Sequence, residues 1–421
     1  MLPVIAMEET YYALNPWWEG KDFDSGIPRP EYTSKLSKLL KRKQINVIIG
    51  SRRVGKTTVL KQLIKDELKH EYLANTILYL ALDHPQLSAT PLSEHLRNFR
   101  KTFNHSRDRQ LLLFFDEIQE SPSWESELKS IFDLENVKIV STGSTSSLLK
   151  TQGGKLTGRQ NVTTIYPLSF REFLSFKKLE LSLAEEYRYE SLAEEYLQTG
   201  GYPENVLMPS PEYLANLLED IIARDLLRLF QIRRADVLRD LFRLLAASVG
   251  SRTSFSKLAR ALGISVDTVR EYIGYFETAF LVKPMEKWTT SYTEKVYAAK
   301  KMYLLDTGLK TLVTGKGDLG AKAENAVFLH FLRKNETCGY FAKHQKEVDF
   351  VLGSIERPLP VEVKYDSDLD WQNRRFSGLK IFLKEFPQTK EAIVVSKSGH
   401  IEFQEKPAII KAIPLWKFLL D

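Results

Sequence analysis

The eight residues Gly50-Ser51-Arg52-Arg53-Val54-Gly55-Lys56-Thr57 constrain this chain more than any other segment. They fill the pattern G-x-x-x-x-G-K-[ST] at every fixed position, and Thr58 follows them. The apolar run Asn46-Val47-Ile48-Ile49 enters the segment as a strand, and Lys56 to Leu68 leave it with helical spacing. Strand, glycine loop and helix in that order cradle phosphate. Loop N–H groups and the helix N-terminus neutralise phosphate oxygens, Lys56 reaches the β- and γ-phosphates, and the Thr57 hydroxyl ligates Mg²⁺. ATP and Mg²⁺ are therefore the expected ligands, held by residues 50 to 58.

Hydrolysis needs a carboxylate at the end of a neighbouring buried strand, and Leu111-Leu112-Leu113-Phe114-Phe115 runs into Asp116-Glu117. Asp116 is expected to hold Mg²⁺ through its water shell, and Glu117 to polarise the attacking water. Thr142-Gly143-Ser144 follows another apolar run, Val137 to Ser141, and reads either as a polar γ-phosphate sensor or as a plain turn. An arginine is needed to stabilise charge on the γ-phosphate. Arg159, after the fourth core strand, is where the family resemblance set out below would place such a group, with Arg53 and Arg224 as alternatives.

At 421 residues the chain exceeds one compact core, so several domains are expected. Apolar runs at Thr76 to Leu82, Leu111 to Phe115 and Val137 to Ser141 alternate with helical segments, which predicts a parallel sheet covered on both faces. Residues 1–35, rich in Trp, Tyr and Pro, read as an extended arm. The core spans 36–168 and a helical lid 169–235. Residues 236–313 give two helices around Gly263 followed by strand-like runs, the order of a winged helix-turn-helix. Residues 314–421 give a helix, three strands, a helix and a strand. The fold class is thus multi-domain α/β.

In the last segment Glu324 lies on a helix, Asp349 in a strand, and Glu362-Val363-Lys364 in the next strand. Glu362 and Lys364 are two apart and share a face. Converging acids with a lysine predict a Mg²⁺ or Mn²⁺ site at Glu324, Asp349 and Glu362, with Lys364 orienting water. This resembles the PD-(D/E)xK nuclease pattern, with Val348 where a proline usually precedes the acid. Asp349, Glu362 and Lys364 are then the expected catalytic group for DNA cleavage, and a purely binding version of the fold is the alternative.

The ordered series Gly50 to Thr57, Asp116-Glu117-Ile118-Gln119, Thr142-Gly143-Ser144, Gly158-Arg159, Pro167 to Phe173, Gly200-Gly201-Tyr202-Pro203-Glu204 and Glu347-Val348-Asp349-Phe350 resembles the archaeal ATPase family, within the AAA+/STAND group of P-loop proteins. The resemblance covers nearly the whole chain. It implies an ATPase core, a helical lid, a winged helix and a restriction-endonuclease-like domain.

Composition narrows the partners. A formal charge of +6 permits polyanion binding without demanding it. One cysteine, Cys338, excludes an internal disulfide framework and a Cys-based zinc cluster. The absence of an 18-residue uncharged apolar run and of a signal-like start predicts a cytoplasmic protein with no membrane segment. A DNA-associated ATPase is the first expectation, with a homo-oligomer or protein partner allowed. The rival is a nucleotide-controlled signalling switch whose last two domains bind protein.

Overall fold

The computed structural model describes every residue except 1–3, 71, 144–155, 157, 180–184, 186, 368 and 400. The chain divides into two compact units, Met1–Ile165 and Tyr166–Asp421.

In the first unit β1 (Ile45–Ile49), β2 (Ile77–Ala81), β3 (Leu111–Asp116), β4 (Val137–Thr142) and β5 (Gln160–Thr164) form one sheet in the order β2-β3-β4-β1-β5. Every neighbouring pair is parallel. Alternate side chains of each strand feed two separate cores. Val47, Leu80, Leu113 and Ile139 pack with α4 (Leu92–Thr102) and α5 (Trp124–Leu134). Ile48, Tyr79, Phe114 and Val140 pack on the other face with α2 (Pro30–Leu40) and α3 (Lys56–His70). Burial on both faces is why these strands read as continuous apolar runs rather than alternating ones.

The amino-terminal segment is helical where an extended arm was expected. α1 (Val4–Leu14) and a short 3₁₀ turn at Pro16–Glu19 precede α2. Its attachment is specific. The Asn15 amide donates to the Tyr79 carbonyl at 3.0 Å and accepts from the Tyr79 N–H at 2.7 Å, so one side chain closes the open edge of β2 as a further strand would. Trp18 Nε1 donates to the Ile77 carbonyl at 2.8 Å.

The second unit begins with helices at Phe170–Phe176, Tyr187–Thr199, Pro203–Leu207 and Pro211–Asp220, continuing through a π-helical turn at Ile221–Leu227 to the helix Ala235–Ala247. Then come β6 (Arg252–Thr253), helices Phe255–Leu262 and Val266–Thr278, β7 (Val282–Met285) and β8 (Lys300–Leu304). These three strands form an antiparallel sheet ordered β6-β8-β7. A second sheet joins β9 (Cys338–Lys343), β10 (Lys346–Leu352), β11 (Leu359–Lys364), β12 (Glu391–Ser396), β13 (Ile401–Glu405) and β14 (Ala408–Pro414) in the order β13-β14-β12-β11-β10-β9. The helix Ser377–Glu385 buries Leu379, Phe382 and Leu383 in the core of this sheet.

The motif Gly200-Gly201 is a packing joint. Asp306 caps the helix Thr307–Thr314 through the N–H groups of Gly308 and Leu309, and its other oxygen accepts from Gly201 N–H at 2.6 Å. A Cβ at Gly200, whose φ is +76°, would stand 2.2 Å from Asp306 Oδ1.

A phosphate-loop site and a buried carboxylate cluster

The loop after β1 needs its glycines. At Gly50 a Cβ would lie 2.3 Å from the Ile165 carbonyl oxygen, because β5 runs alongside and Ile165 N–H donates to Ile49 O at 2.8 Å. Gly55 has φ +95°, in the left-handed range that glycine adopts without strain. α3 starts at Lys56, so its unpaired N–H groups end at the loop. Lys56 Nζ donates to Gly50 O at 3.2 Å and Ser51 O at 3.0 Å, folded onto the loop that it serves.

An unforeseen residue braces this loop. Arg29 is 1% exposed, and its Nη1 donates to the Val54 carbonyl at 3.0 Å while its guanidinium lies 4.6 Å from the Tyr32 ring centroid. Gln62 of α3 fixes the approach, accepting from Arg29 N–H and donating to the Ser25 and Ile27 carbonyls. The one available signal was Gly26-Ile27-Pro28-Arg29-Pro30, a rigid stretch that presents a basic residue just before a helix.

Asp116 ends β3 and is 4% exposed. Burial raises its pKa, opposed by hydrogen bonds from Thr142, Thr57 and Tyr79. Tyr79 donates at 3.0 Å, and Thr142 Oγ1 donates to the other carboxylate oxygen. The same Thr142 hydroxyl accepts the Glu117 N–H at 3.0 Å. Glu117 sits at φ +50°, a left-handed conformation that turns it away from the strand line, and its Oε2 accepts from Gln119. Beside these groups lies a cavity of about 510 Å³, walled by Leu14, Trp17 and Phe23 on one side and by Thr57, Asp116 and Glu117 on the other.

Other expected groups fall elsewhere. Arg159 does not join the loop: it directly precedes β5, whose first residue Gln160 pairs with Ile45, whereas the loop leaves β1 at Ile49. Four residues of strand, about 13 Å, separate the two ends, and Arg159 is engaged with Asp133 at 3.2 Å. It cannot serve the phosphates of its own loop. Arg224 pairs with Asp220 at 3.4 Å, and Arg53 is exposed within the loop at φ +55°. Thr142 is fully buried behind Asp116, which makes it a brace for the two acids. Ser144 lies outside the described residues.

The acids of the second unit do converge. Antiparallel pairing of Phe350 with Val361 puts Asp349 opposite Glu362, on one face. Asp349 N–H donates to Glu362 Oε2 at 3.2 Å, and Val363 N–H donates to Asp349 Oδ2 at 2.9 Å. Lys364 pairs with Glu362. Glu324 of the helix Leu319–Arg333 completes the group, and Tyr303 donates to it at 2.6 Å. Burial and the Asp349 charge raise Glu324 to about 7 and Glu362 to about 8. Asp349 itself is lowered, since Lys301 and Lys364 outweigh its burial.

The expected metal position among Glu324, Asp349 and Glu362 needs correction. Lys301 of β8 stands there, its Nζ 3.0 Å from both Glu324 Oε1 and Asp349 Oδ1. Among the described residues no group of three or more His, Cys, Asp or Glu side chains is arranged to hold a metal ion. An ammonium was not foreseen because Lys301 lies in the segment assigned to another domain.

Comparison with known proteins bears on the first unit most directly. Residues 42–174 match the family described as AAA domain. The first unit has an AAA-type P-loop ATPase fold. Residues 190–319 and 319–418 match two families each described as a domain of unknown function, DUF8612 and DUF4143. An uncharacterized protein of Methanocaldococcus jannaschii is 28% identical over 90% of this chain and 88% of its own length. One from Haemophilus influenzae is 26% identical over 81% and 87%. The Walker-type ATPase of Pyrococcus abyssi aligns with 68% of this chain and 96% of its own, at 17% identity and a TM-score of 0.43. No helix among the described residues is long and apolar enough to cross a membrane.

Proposed function

We propose that the chain is a Mg²⁺-dependent ATPase whose nucleotide state controls partner binding by the second unit, with DNA as the partner to test first. The observation that carries the ATPase reading is the meeting of Thr57, from the phosphate loop, with Asp116, from the end of β3. A hydroxyl and a carboxylate are hard oxygen donors, the chemistry that Mg²⁺ takes. When bound, Mg²⁺ supplies charge neutralisation on the phosphates. Lys56 would exchange the Gly50 and Ser51 carbonyls for phosphate oxygens, and Glu117 would hold the attacking water. Arg29 would keep the Val54 peptide, and so the loop, in its phosphate-binding shape.

The winged-helix reading of 236–313 is supported by the order helix, β6, helix, helix, β7, a short helix at Tyr292–Tyr297 and β8, and by Gly263 at φ +63° ending the first of the paired helices. The second of these helices, Val266–Thr278, would face a groove. Its Arg270 is already paired with Asp267 at 2.9 Å, which favours the second reading, a switch whose partner is protein. Metal-dependent cleavage at Asp349, Glu362 and Lys364 is not part of the proposal, because Lys301 fills the position that a metal would take.

ATP turnover tests both readings. Lys56→Ala is expected to lose tight nucleotide binding, whereas Glu117→Gln keeps binding and loses hydrolysis, since Lys56 meets ground-state phosphates and Glu117 acts on water. Stimulation of turnover by duplex or single-stranded DNA that fades with salt supports the DNA partner. No DNA response at low salt transfers the reading to the protein switch, and normal hydrolysis by Glu117→Gln removes that residue from the mechanism.

A further inference from the structure

The two sheets of the second unit meet at a charge cluster that the larger one cannot neutralise alone. β10, β11 and the helix Leu319–Arg333 bring Asp349, Glu362 and Glu324 together, but only Lys364 among those elements answers them, and it pairs with Glu362. The missing cation comes from β8. Lys301 is 0% exposed, and its Nζ lies 3.0 Å from Asp349 Oδ1, 3.0 Å from Glu324 Oε1 and 3.3 Å from Glu347 Oε1. An ammonium has three N–H donors, and three carboxylates are in place for them.

The surrounding structure holds it there. Lys301 and Tyr303 are two apart on β8 and so share a face, and Tyr303 bonds the same Glu324 oxygen. Asn325 grips the strand end, accepting from Leu304 N–H at 3.0 Å and donating to Leu304 O at 2.7 Å, which fixes the height of Lys301 against the neighbouring Glu324. Gly250 closes the far side: at φ +76° it lies so near Glu324 that a Cβ would stand 2.7 Å from Oε2. Arg252 of β6 adds an ion pair to Glu347 at 3.0 Å.

We infer that Lys301 is the resident cation of this cluster, tethered where a divalent metal would sit, and that the cluster is closed to Mg²⁺ and Mn²⁺. A metal needs carboxylate oxygens at about 2.0–2.6 Å. Here it would sit within a few ångströms of a buried ammonium whose repulsion solvent does not screen. The same atoms therefore form a joint between the two sheets instead of a cutting centre. Loss of Lys301 leaves buried acids without their counter-charge, a strongly unfavourable state that a divalent ion with oxygen ligands is suited to relieve.

Crystals of the full chain grown in millimolar MnCl₂ without nucleotide test this by anomalous scattering. The wild-type protein is expected to show no manganese between Asp349, Glu324 and Glu362, with Lys301 Nζ in place; manganese there overturns the inference. Lys301→Met is expected to acquire that manganese, to unfold at lower temperature in EDTA than the wild type, and to regain stability with MnCl₂. Adding Asp349→Asn to Lys301→Met is expected to abolish the regain. A folded Lys301→Met that takes up no manganese overturns the claim that Lys301 stands in for a metal. Should that variant fail to fold in either buffer, the wild-type crystals decide the matter by themselves.

Discussion

Thr142 Oγ1 donates to the Asp116 carboxylate and accepts the N–H of Glu117, so one buried hydroxyl on β4 sets both acids at the end of β3. The strand order makes this possible, since β4 lies between β3 and the loop-bearing β1. Thr142→Val keeps the shape and deletes both bonds. Asp116 loses a donor that opposes its protonation, and the Glu117 amide loses its acceptor, a change of about 1–3 kcal/mol for a bond to a charged group. The expected result is a fall in ATP turnover of about 10- to 100-fold with the fold retained, read by steady-state kinetics and circular dichroism. Unchanged turnover would show that the acids hold their places without it.

Arg29 supplies a second brace, reaching the phosphate loop from a segment expected to be only an arm. Arg29→Met preserves the aliphatic stem but removes the bond to Val54 O and the contact with the Tyr32 ring. We expect a raised KM for ATP and a loss of about 1–3 kcal/mol in the stability of the first unit. Arg29→Lys should recover little, because a lysine lacks the planar fork. A lowered Tm with an unchanged KM would make Arg29 purely structural.

Two glycines of the second unit separate crowding from backbone strain. Gly200 and Gly263 both have positive φ, yet a Cβ at Gly200 meets Asp306 Oδ1 at 2.2 Å whereas one at Gly263 meets nothing within 4 Å. Gly263→Ala is expected to cost about 1 kcal/mol, from the left-handed conformation alone. Gly200→Ala should cost at least about 2 kcal/mol more, by displacing the carboxylate that caps the helix Thr307–Thr314. Chemical denaturation of the two variants measures the difference, and equal losses would refute the role given to the Asp306 joint.

The parallel core was legible because its strands are apolar on both faces and its loop has fixed residue types. β5 was not, since Gln160-Asn161-Val162-Thr163-Thr164 is a polar edge strand recognisable only by its pairing with β1. Missing it also put Arg159 at the wrong end of the sheet. Asp116 and Glu117 could be read from local sequence, whereas Arg29 and Thr142 act through contacts that span 25 and 26 residues. The acids of the second unit were legible as a set because strand alternation is local. Lys301 was not, because a lone lysine in a strand carries no pattern, and only the packing of β8 brings it among them.

The buried cluster also sets a pH dependence whose sign follows from its members. Three acids, Glu324, Asp349 and Glu362, face two lysines, Lys301 and Lys364, with the partly exposed Glu347 at the margin and Tyr303 bonded to Glu324. Burial and the Asp349 charge raise Glu362 from 4.5 to about 8 and Glu324 to about 7, so the folded protein retains protons that the unfolded chain has released. Stability from this source is greatest below pH 4.5 and falls as pH rises through 7 to 8. Two opposing groups limit the acid side. Asp349, lowered by the two lysines against its burial, loses its contribution as pH drops below the ordinary carboxylate range. His330, lowered by burial to about 3, is destabilising when its partner state in the unfolded chain is charged, so stability rises with pH between about 3 and 6.5. Lys301 is raised well above 10.5 because its three acid neighbours outweigh its burial, and it stays charged across the whole range. The second unit should therefore be most stable in mildly acidic solution, lose Tm from about pH 5 to 8, and level off above that. Glu362→Gln, which keeps the shape but has no proton to release, should flatten that decline. Thermal unfolding of both proteins from pH 5 to 9 reads it directly, and a wild-type Tm that stays level, or an equal slope in the variant, would remove Glu362 as the cause.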